Sequence, residues 1–438
     1  MLLEKITDSY IKHSGPERLA RNYRATNYRL LEARANVLFR ELVIYAAKFS
    51  PFYRRKFEEF KINPYQVKHP LDLGDFYTTP EDIVRNPKEF ICQPPYIVFE
   101  SSGTTGKNKE IYYSLKELKD IGRFVAAGFH MWGIDRNDRI ANAFDFSIWI
   151  PGRIFQEGLD AANIFNLNFS KVDPQEVYNR LGNYKFNVIL GEPTWLIRLT
   201  EIAEKKGAFP LKLMIGSAEG MPQAARPWIK EIWQGAGVIM AYSSVESALA
   251  LGVEVDTKCD AYHIDDVNFY YEIINKDADG FGEVTYSTLT RRTMPLIRYR
   301  NRDISSLNER VCACGLKTKM LSRIRGRIDE MIIASGGNLY PLMFEKILDD
   351  IEGITKDWQV VFKLNGYREV MEINVEASSK FDSLKEKVFN NMKTYYPDLW
   401  KNYNIGIFDI DFIWNTPGEL RKNKRKLRRL VDERCKAL

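Results

Sequence analysis

The chain is short of the features that would take it out of ordinary globular chemistry. Its 438 residues hold five cysteines, too few and too scattered for the disulfide framework of a small secreted fold. No run approaches the ~18 apolar residues of a membrane-spanning helix. Met1 to Arg21 interrupts its apolar positions with charges, where a signal peptide keeps an unbroken core. These absences predict a cytoplasmic protein with no membrane span. An excess of one charge sign is also missing from the body. The net charge is +6, but nine Lys/Arg and three Asp/Glu fall from Asn415 onward, which leaves 55 of each in the rest. A neutral body with one basic tail favours a local anion contact over a general nucleic-acid surface.

What is present is a globular composition: 45% apolar, 28% charged and 13% aromatic. The length exceeds one typical core and predicts two or three domains. Leu31, Ala35, Leu38, Leu42 and Ala46 recur at helical spacing, with Ser50-Pro51 as a stop, and Thr79-Pro80-Glu81-Asp82 is a helix start. From 115 to about 235, helical segments alternate with Val188-Ile189-Leu190, Leu213-Met214-Ile215 and Val238-Ile239-Met240. That alternation predicts an α/β fold around a mainly parallel sheet, with ligands gathered at its C-terminal strand ends. Strand-rich residues 265–310 predict a small β-subdomain, about 255–325. Beyond a boundary near 328 the pattern turns to a compact α+β segment.

One stretch organises the rest. Ser101-Ser102-Gly103-Thr104-Thr105-Gly106-Lys107 lies between strand-like Tyr96-Ile97-Val98-Phe99 and Ile111-Tyr112-Tyr113. Glycines let backbone N–H groups approach an anion, four hydroxyls add donors and the lysine adds charge. It departs from the common P-loop, because only Thr104-Thr105 separate its glycines and Asn108 follows the lysine. Taken alone it reads as a phosphate cradle or as a polar hairpin turn.

Further motifs follow in order: Gly216-Ser217-Ala218-Glu219, Tyr242-Ser243-Ser244-Val245-Glu246, and Arg298-Tyr299-Arg300-Asn301-Arg302-Asp303. Arg323-Ile324-Arg325-Gly326-Arg327-Ile328-Asp329 and Ser335-Gly336-Gly337-Asn338-Leu339-Tyr340-Pro341 come next. The basic tail, from Pro417-Gly418 through Lys424-Arg425-Lys426 to Arg429, closes the series. Together, from about Pro51 to Asp432, they resemble the adenylate-forming superfamily of acyl-CoA synthetases, luciferases and peptide-synthetase adenylation domains. More narrowly they resemble its phenylacetate–CoA ligase branch.

That resemblance implies an N-terminal ATP- and acid-binding domain, 1–328, and a small mobile C-terminal domain, 329–438. It implies an enzyme that transfers AMP from ATP to a carboxylic acid, releasing pyrophosphate, and then passes the acyl group to a thiol, coenzyme A by default. Residues 101–107 would hold the β- and γ-phosphates. Ser217, Ala218 and Glu219 would line the adenine. Tyr242, with Ser243 and Ser244 beside it, would stack near the base. Glu246 would bind Mg²⁺, as a hard cation bridging phosphates requires an oxygen ligand. Asp303 would accept the ribose hydroxyls, Arg327 would touch the nucleotide, and Asp329 would be the pivot. Lys426 falls on the catalytic lysine, with Lys424 in reserve. Ser243 and Arg425 replace glycines of the family pattern, Val245 replaces a hydroxyl residue, and Asn301-Arg302 replace Thr-Gly.

Phe144, Phe146, Trp149 and Trp195 lie in segments that border the acyl site in the family, and suggest an aromatic acid. Cys259-x3-His263 and Cys312-x-Cys314 supply four ligands suited to a tetrahedral structural Zn²⁺. Relatives that make amides, or adenylylate the phenolic hydroxyl of a deazaflavin, leave adenylation without coenzyme A open, and the departures leave a non-catalytic nucleotide binder open. The sequence does not choose between monomer and homodimer.

Overall fold

The three apolar runs and two further short strands form a parallel sheet, in the spatial order Phe165–Asn168, Arg139–Asn142, Val188–Gly191, Leu213–Ser217 and Gly237–Ser243. Val188–Gly191 and Leu213–Ser217 are buried along their whole length, which is why they read as unbroken apolar runs. Burial of a side chain such as Ile189 or Leu190 contributes about 1.5–3 kcal/mol. The intervening helices include Pro151–Ala162, Pro174–Tyr184 and Pro193–Lys206. Each opens on a proline, whose fixed φ suits the first helical turn. The computed structural model describes residues 14–26, 28–101, 108–328, 331–348, 351–377, 381–420, 422 and 427–434. Ser102, Gly103, Thr104, Thr105, Gly106, Lys107, Asp329, Lys424 and Lys426 lie outside them.

Four antiparallel strands extend the same sheet to nine: Ala250–Val253, Tyr262–Ile264, Lys317–Leu321 and Leu307–Val311. Phe269–Ile274, Gly282–Thr288, Tyr299–Ser305 and Gly326–Arg327 form a separate four-stranded sheet. The stretch expected as one β-subdomain therefore divides between two sheets. Periodicity marks strands but does not name their partners. Ile97–Ser101 pairs antiparallel with Lys109–Tyr113, with Ser101 opposite Lys109, so these strands bracket residues 102–108.

On the N-terminal side, Tyr28–Phe49 buries Ala35, Leu38, Leu42 and Ala46. Ser50-Pro51 stops that helix at Phe49 as expected and also starts the next, because Ser50 caps Pro51–Glu59 by accepting from the Tyr53 N–H. Thr79 and Asp82 form a capping box at the predicted helix start.

Past residue 331, the hairpin Ile332–Ala334/Gly337–Leu339 leads into helix Pro341–Leu348. A four-stranded sheet follows in the order Asp409–Asn415, Arg368–Ala377, Ile354–Asn365 and Leu430–Asp432. It is packed with helices Phe381–Tyr395 and Pro397–Asn404 around buried Trp358, Val388 and Phe408. This C-terminal unit is the expected α+β segment. Among the described residues no helix is long and apolar enough to cross a membrane.

Candidate functional site

A cavity of about 1430 Å³ opens between the C-terminal strand ends of the parallel sheet and the C-terminal unit. Ser101, Ala218, Glu219, Tyr242, Ser243, Ser244, Glu246, Asp303 and Arg327 all line it, so motifs spread over more than 200 residues of sequence converge on one surface. Ala218 takes φ 78°, a left-handed conformation that costs an alanine on the order of 1 kcal/mol. It turns the chain sharply at the end of Leu213–Ser217. Just before it, Gly216 lies so close to Met240 that an added Cβ would stand 2.6 Å from its sulfur.

Glu246 is the electrostatic centre of one part of the cavity. It is buried, and its Oε1 accepts from Tyr299 Oη at 3.0 Å and from Ser101 Oγ at 3.4 Å, while Lys109 Nζ forms an ion pair with it. Burial pushes the carboxyl up, but the Lys109 charge and hydrogen bond outweigh it and hold Glu246 at about 2. Glu246 thus enters neutral solution as a carboxylate able to accept a hard cation. Lys109 and Tyr299 escaped the sequence reading. One signal was available: Lys109 sits on the same strand face as Ile111 and Tyr113, which are buried, and a lysine at such a position requires an anionic partner.

Asp303 anchors the opposite end. Tyr242 Oη donates to its Oδ2 at 2.5 Å, Asn301 Nδ2 to the same oxygen at 2.6 Å, and Arg327 to Oδ1 at 2.6 Å. Asn301 Nδ2 also donates to Tyr242 Oη at 2.7 Å, so this departure from the family pattern buttresses the carboxylate. Burial and the Asp303 charge push the Tyr242 phenol well above its ordinary range. Arg302, standing where the family has glycine, keeps φ 69° and pairs with Glu81 at 2.9 Å. The glycine-like backbone survives the substitution. Ser244 hydrogen-bonds Tyr286 Oη at 3.1 Å and Val245 offers its carbonyl to Tyr113, so Ser244 is tied to the four-stranded sheet and Val245 to the Ile97–Ser101/Lys109–Tyr113 pair.

Several expected contacts fall elsewhere. Ser217 is buried beneath the cavity surface, with its hydroxyl donated to the Ala241 carbonyl at 2.8 Å. Phe144 is core, stacked on Phe155 at 4.9 Å between centroids. Trp195 is also core, its indole N–H donated to the Val172 carbonyl. Phe146 packs beside Gly152 at a helix start. Of the four aromatic candidates for the acid pocket, Trp149 lines the cavity. Apolar side chains near a site are recruited to its scaffold as readily as to its surface.

Glu219 faces the C-terminal unit. Its Oε1 accepts from the Thr194 N–H at 3.0 Å and from the Thr194 hydroxyl, while Oε2 has no hydrogen-bond partner among the described residues. Burial first, then the carboxylates of Glu369 and Glu192, raise it to about 8. A raised carboxyl keeps in the folded state a proton that the unfolded chain releases. Its contribution therefore weakens as pH rises from the ordinary carboxylate range through about 8. Glu219→Gln is accordingly expected to melt above the parent at pH 8.5 and to lose most of that advantage at pH 5. Thermal melts at both values check the sign. From the connection after Phe165–Asn168, Lys171 Nζ reaches Glu192 at 2.7 Å and the Gly336 carbonyl at 2.6 Å. This is a direct tie between the sheet and the C-terminal hairpin.

Away from the cavity, one ligand atom each from Cys259, His263, Cys312 and Cys314 lies within 4.8 Å of the others. Individual separations are 3.6 Å for Cys259–His263, 3.7 Å for Cys259–Cys312 and 3.2 Å for Cys314–His263. Bonds of about 2.0–2.3 Å at tetrahedral angles need similar spacings. His263 Nδ1 meets Thr318 Oγ1 at 2.6 Å, which leaves Nε2 toward the sulfurs, as a ligating histidine requires. Burial lowers His263 to about 4 and raises the Cys259 thiol. The imidazole is neutral, and holding thiolates here calls for a cation.

Residues 336–434 match the family model of the AMP-binding enzyme C-terminal domain. The chain is 27% identical to a phenylacetate-coenzyme A ligase of Thermus thermophilus over 371 residues, 78% of this chain and 80% of the relative. It is 26% identical to one of Aromatoleum evansii, covering 88% and 90%. A 2-hydroxyisobutyryl-CoA ligase with 2-HIB-AMP and CoA in its thioesterification state superposes with a TM-score of 0.76 at 21% identity, over 94% of this chain and 91% of that one. The same ligase with 2-HIB-AMP in its postadenylation state gives 0.63 at 21% identity, over 91% and 89%.

Proposed function

The chain belongs to the adenylate-forming superfamily, in its phenylacetate–CoA ligase-like branch, and from that premise we propose how its residues share the work. It is an ATP-dependent acid–thiol ligase. An acid's carboxylate oxygen attacks the α-phosphorus, pyrophosphate leaves, and an acyl-AMP forms. The sulfur of coenzyme A then attacks the acyl carbon, the thioester forms and AMP leaves. The observation that carries this assignment is the convergence of Ser101, Ala218, Glu246, Asp303 and Arg327 on one cavity facing the C-terminal unit.

In the proposed division of roles, Ser101 to Lys107 bind the β- and γ-phosphates, with Lys109 as a further cation at the end of that loop. Ala218, Glu219 and Tyr242 border the base, with Ser243 and Ser244 beside it. Asp303 takes the ribose hydroxyls, in a geometry held by Asn301 and Arg327. Glu246 is the group that would hold Mg²⁺, a cation that neutralises phosphate charge when bound. Lys426 brings the carboxylate and α-phosphate together during adenylation. We place the domain boundary near residue 328 with Asp329 as the pivot, and read the arrangement described above as the acyl-transferring one. The four-ligand cluster is assigned to a structural Zn²⁺, and the protein to the cytoplasm.

The acid is proposed to be an aryl acid. Support comes from Trp149 on the cavity wall and from the phenylacetate-coenzyme A ligases among the relatives. ATP–pyrophosphate exchange with phenylacetate, benzoate and 2-hydroxyisobutyrate tests the adenylation step. Exchange is expected to require an acid and to be fastest with an aryl acid. Exchange with none of them would overturn the proposal for these acids, and preference for the aliphatic one would overturn the aryl assignment.

A further inference from the structure

We propose that Tyr367 and Arg368 of the C-terminal unit, with Trp228 and Glu201 of the N-terminal body, form a latch that positions the two parts for acyl transfer. The proposal rests on reading this arrangement as the acyl-transferring one. Asn365 and Arg368 are paired across Ile354–Asn365 and Arg368–Ala377, which leaves Gly366-Tyr367 as a two-residue turn. Gly366 takes φ 62°, a conformation glycine adopts without strain in such tight hairpins. The turn is therefore a short, stiff projection from the sheet.

That projection ends on the N-terminal body. The Tyr367 ring stacks on Trp228 at 4.8 Å between centroids and 20° between planes. Trp228 is itself oriented by its indole N–H, donated to Glu204 at 3.0 Å. One residue on, Arg368 divides its guanidinium. Its Nε and NH2 go to Asp409 on the neighbouring strand, while NH1 donates across the boundary to Glu201 at 2.9 Å. Glu201 also accepts from Arg198 at 2.7 Å, so its carboxylate is already aimed when the hairpin arrives. Arg198 in turn packs against Gly406, where an added Cβ would lie 3.2 Å from Nε.

None of Tyr367, Arg368, Trp228 or Glu201 lines the cavity. Their contacts can thus stabilise one disposition of the parts without touching reactants. A hairpin tip seated between helices Pro193–Lys206 and Ala225–Ile232 cannot keep those partners once the C-terminal unit turns to present another face. The latch consequently favours one of two arrangements, and an aromatic stack with a half-buried ion pair suffices to shift such an equilibrium about tenfold.

The test separates the half-reactions. Tyr367→Ala, Tyr367→Phe and Glu201→Gln are compared with the parent in acid-dependent ATP–pyrophosphate exchange with phenylacetate and in single-turnover acyl transfer from preformed phenylacetyl-AMP to coenzyme A. Transfer is expected to slow about tenfold for Tyr367→Ala and about threefold for Glu201→Gln, with exchange unchanged or faster. Tyr367→Phe, which keeps the stack, is expected to behave as the parent. Small-angle scattering of the nucleotide-free proteins is expected to give a larger radius of gyration for the Tyr367→Ala/Glu201→Gln double variant. An unchanged scattering profile, or equal losses in both half-reactions, overturns the latch. Absence of acid-dependent exchange alongside the expected scattering change overturns the functional reading and leaves the latch standing.

Discussion

Lys426→Ala is expected to form acyl-AMP about 10²–10³ times more slowly, with its melting transition unmoved. The reaction brings a carboxylate against a phosphate that already carries negative charge, so the barrier is largely electrostatic. A positioned cation shared by both groups is where the chain can lower it, and losing one such donor commonly costs two to three orders of magnitude. In a run that includes Lys424, Arg425, Arg428 and Arg429, the ordinary role of a lysine is solvation, and removing a solvated charge changes stability by less than about 0.5 kcal/mol. The two roles separate cleanly. Lys424→Ala should stay within about threefold of the parent, a small effect by the same scale, while Lys426→Ala should not. Transfer from synthetic acyl-AMP to coenzyme A should survive in both, because the lysine is assigned to the first step. Parent-like pyrophosphate exchange in Lys426→Ala would remove it from the mechanism.

Stripping the metal, or replacing Cys259 and Cys312 together by serine, is expected to lower the melting temperature by about 10 °C. Around the cluster the apolar packing is thin: Val255, Ala261, Leu316 and Met320 join the cysteines in a small group apart from the main core. The adjoining edge strand, Leu307–Val311, is largely exposed. A metal there would do for four strands of the large sheet what a core does elsewhere. Reduced thiols that merely pack as small apolar groups would give serine variants only slightly less stable, and a chelator would change nothing. Less than about half an equivalent of zinc in carefully prepared protein would count against the assignment.

The convergence of the proposed nucleotide-binding residues on one cavity was legible in the sequence because they sit in short contiguous motifs. Ala218 and Glu246 each follow a strand whose apolar pattern placed it, Asp303 lies in a stretch read as strand-rich, and the structure brings all three to one surface. The gathering of Cys259, His263, Cys312 and Cys314 was legible for the same reason, since residue identity and local spacing survive the fold. Lys109 was hidden by its neighbour Lys107, and only its position on the buried face of a strand distinguishes it. The acid pocket was not legible. Phe144 and Trp195 are fully buried in the scaffold, and an aromatic residue shows the same apolar character whether it lines a cavity or supports one. The division of residues 255–325 between two sheets was equally out of reach, because antiparallel pairing across long separations leaves no period in the sequence. Contacts such as Tyr367 on Trp228 depend on how elements distant in sequence meet, which no local pattern records.

The most direct measurement of the central claim is the product mixture itself. The parent protein is incubated with ATP, Mg²⁺ and phenylacetate, with and without coenzyme A, and the products are resolved by mass spectrometry. Acyl-AMP with pyrophosphate in its absence, and acyl-CoA with one AMP per thioester in its presence, is the predicted result. Acyl-AMP that coenzyme A leaves untouched, or ADP and phosphate in place of AMP and pyrophosphate, would contradict it.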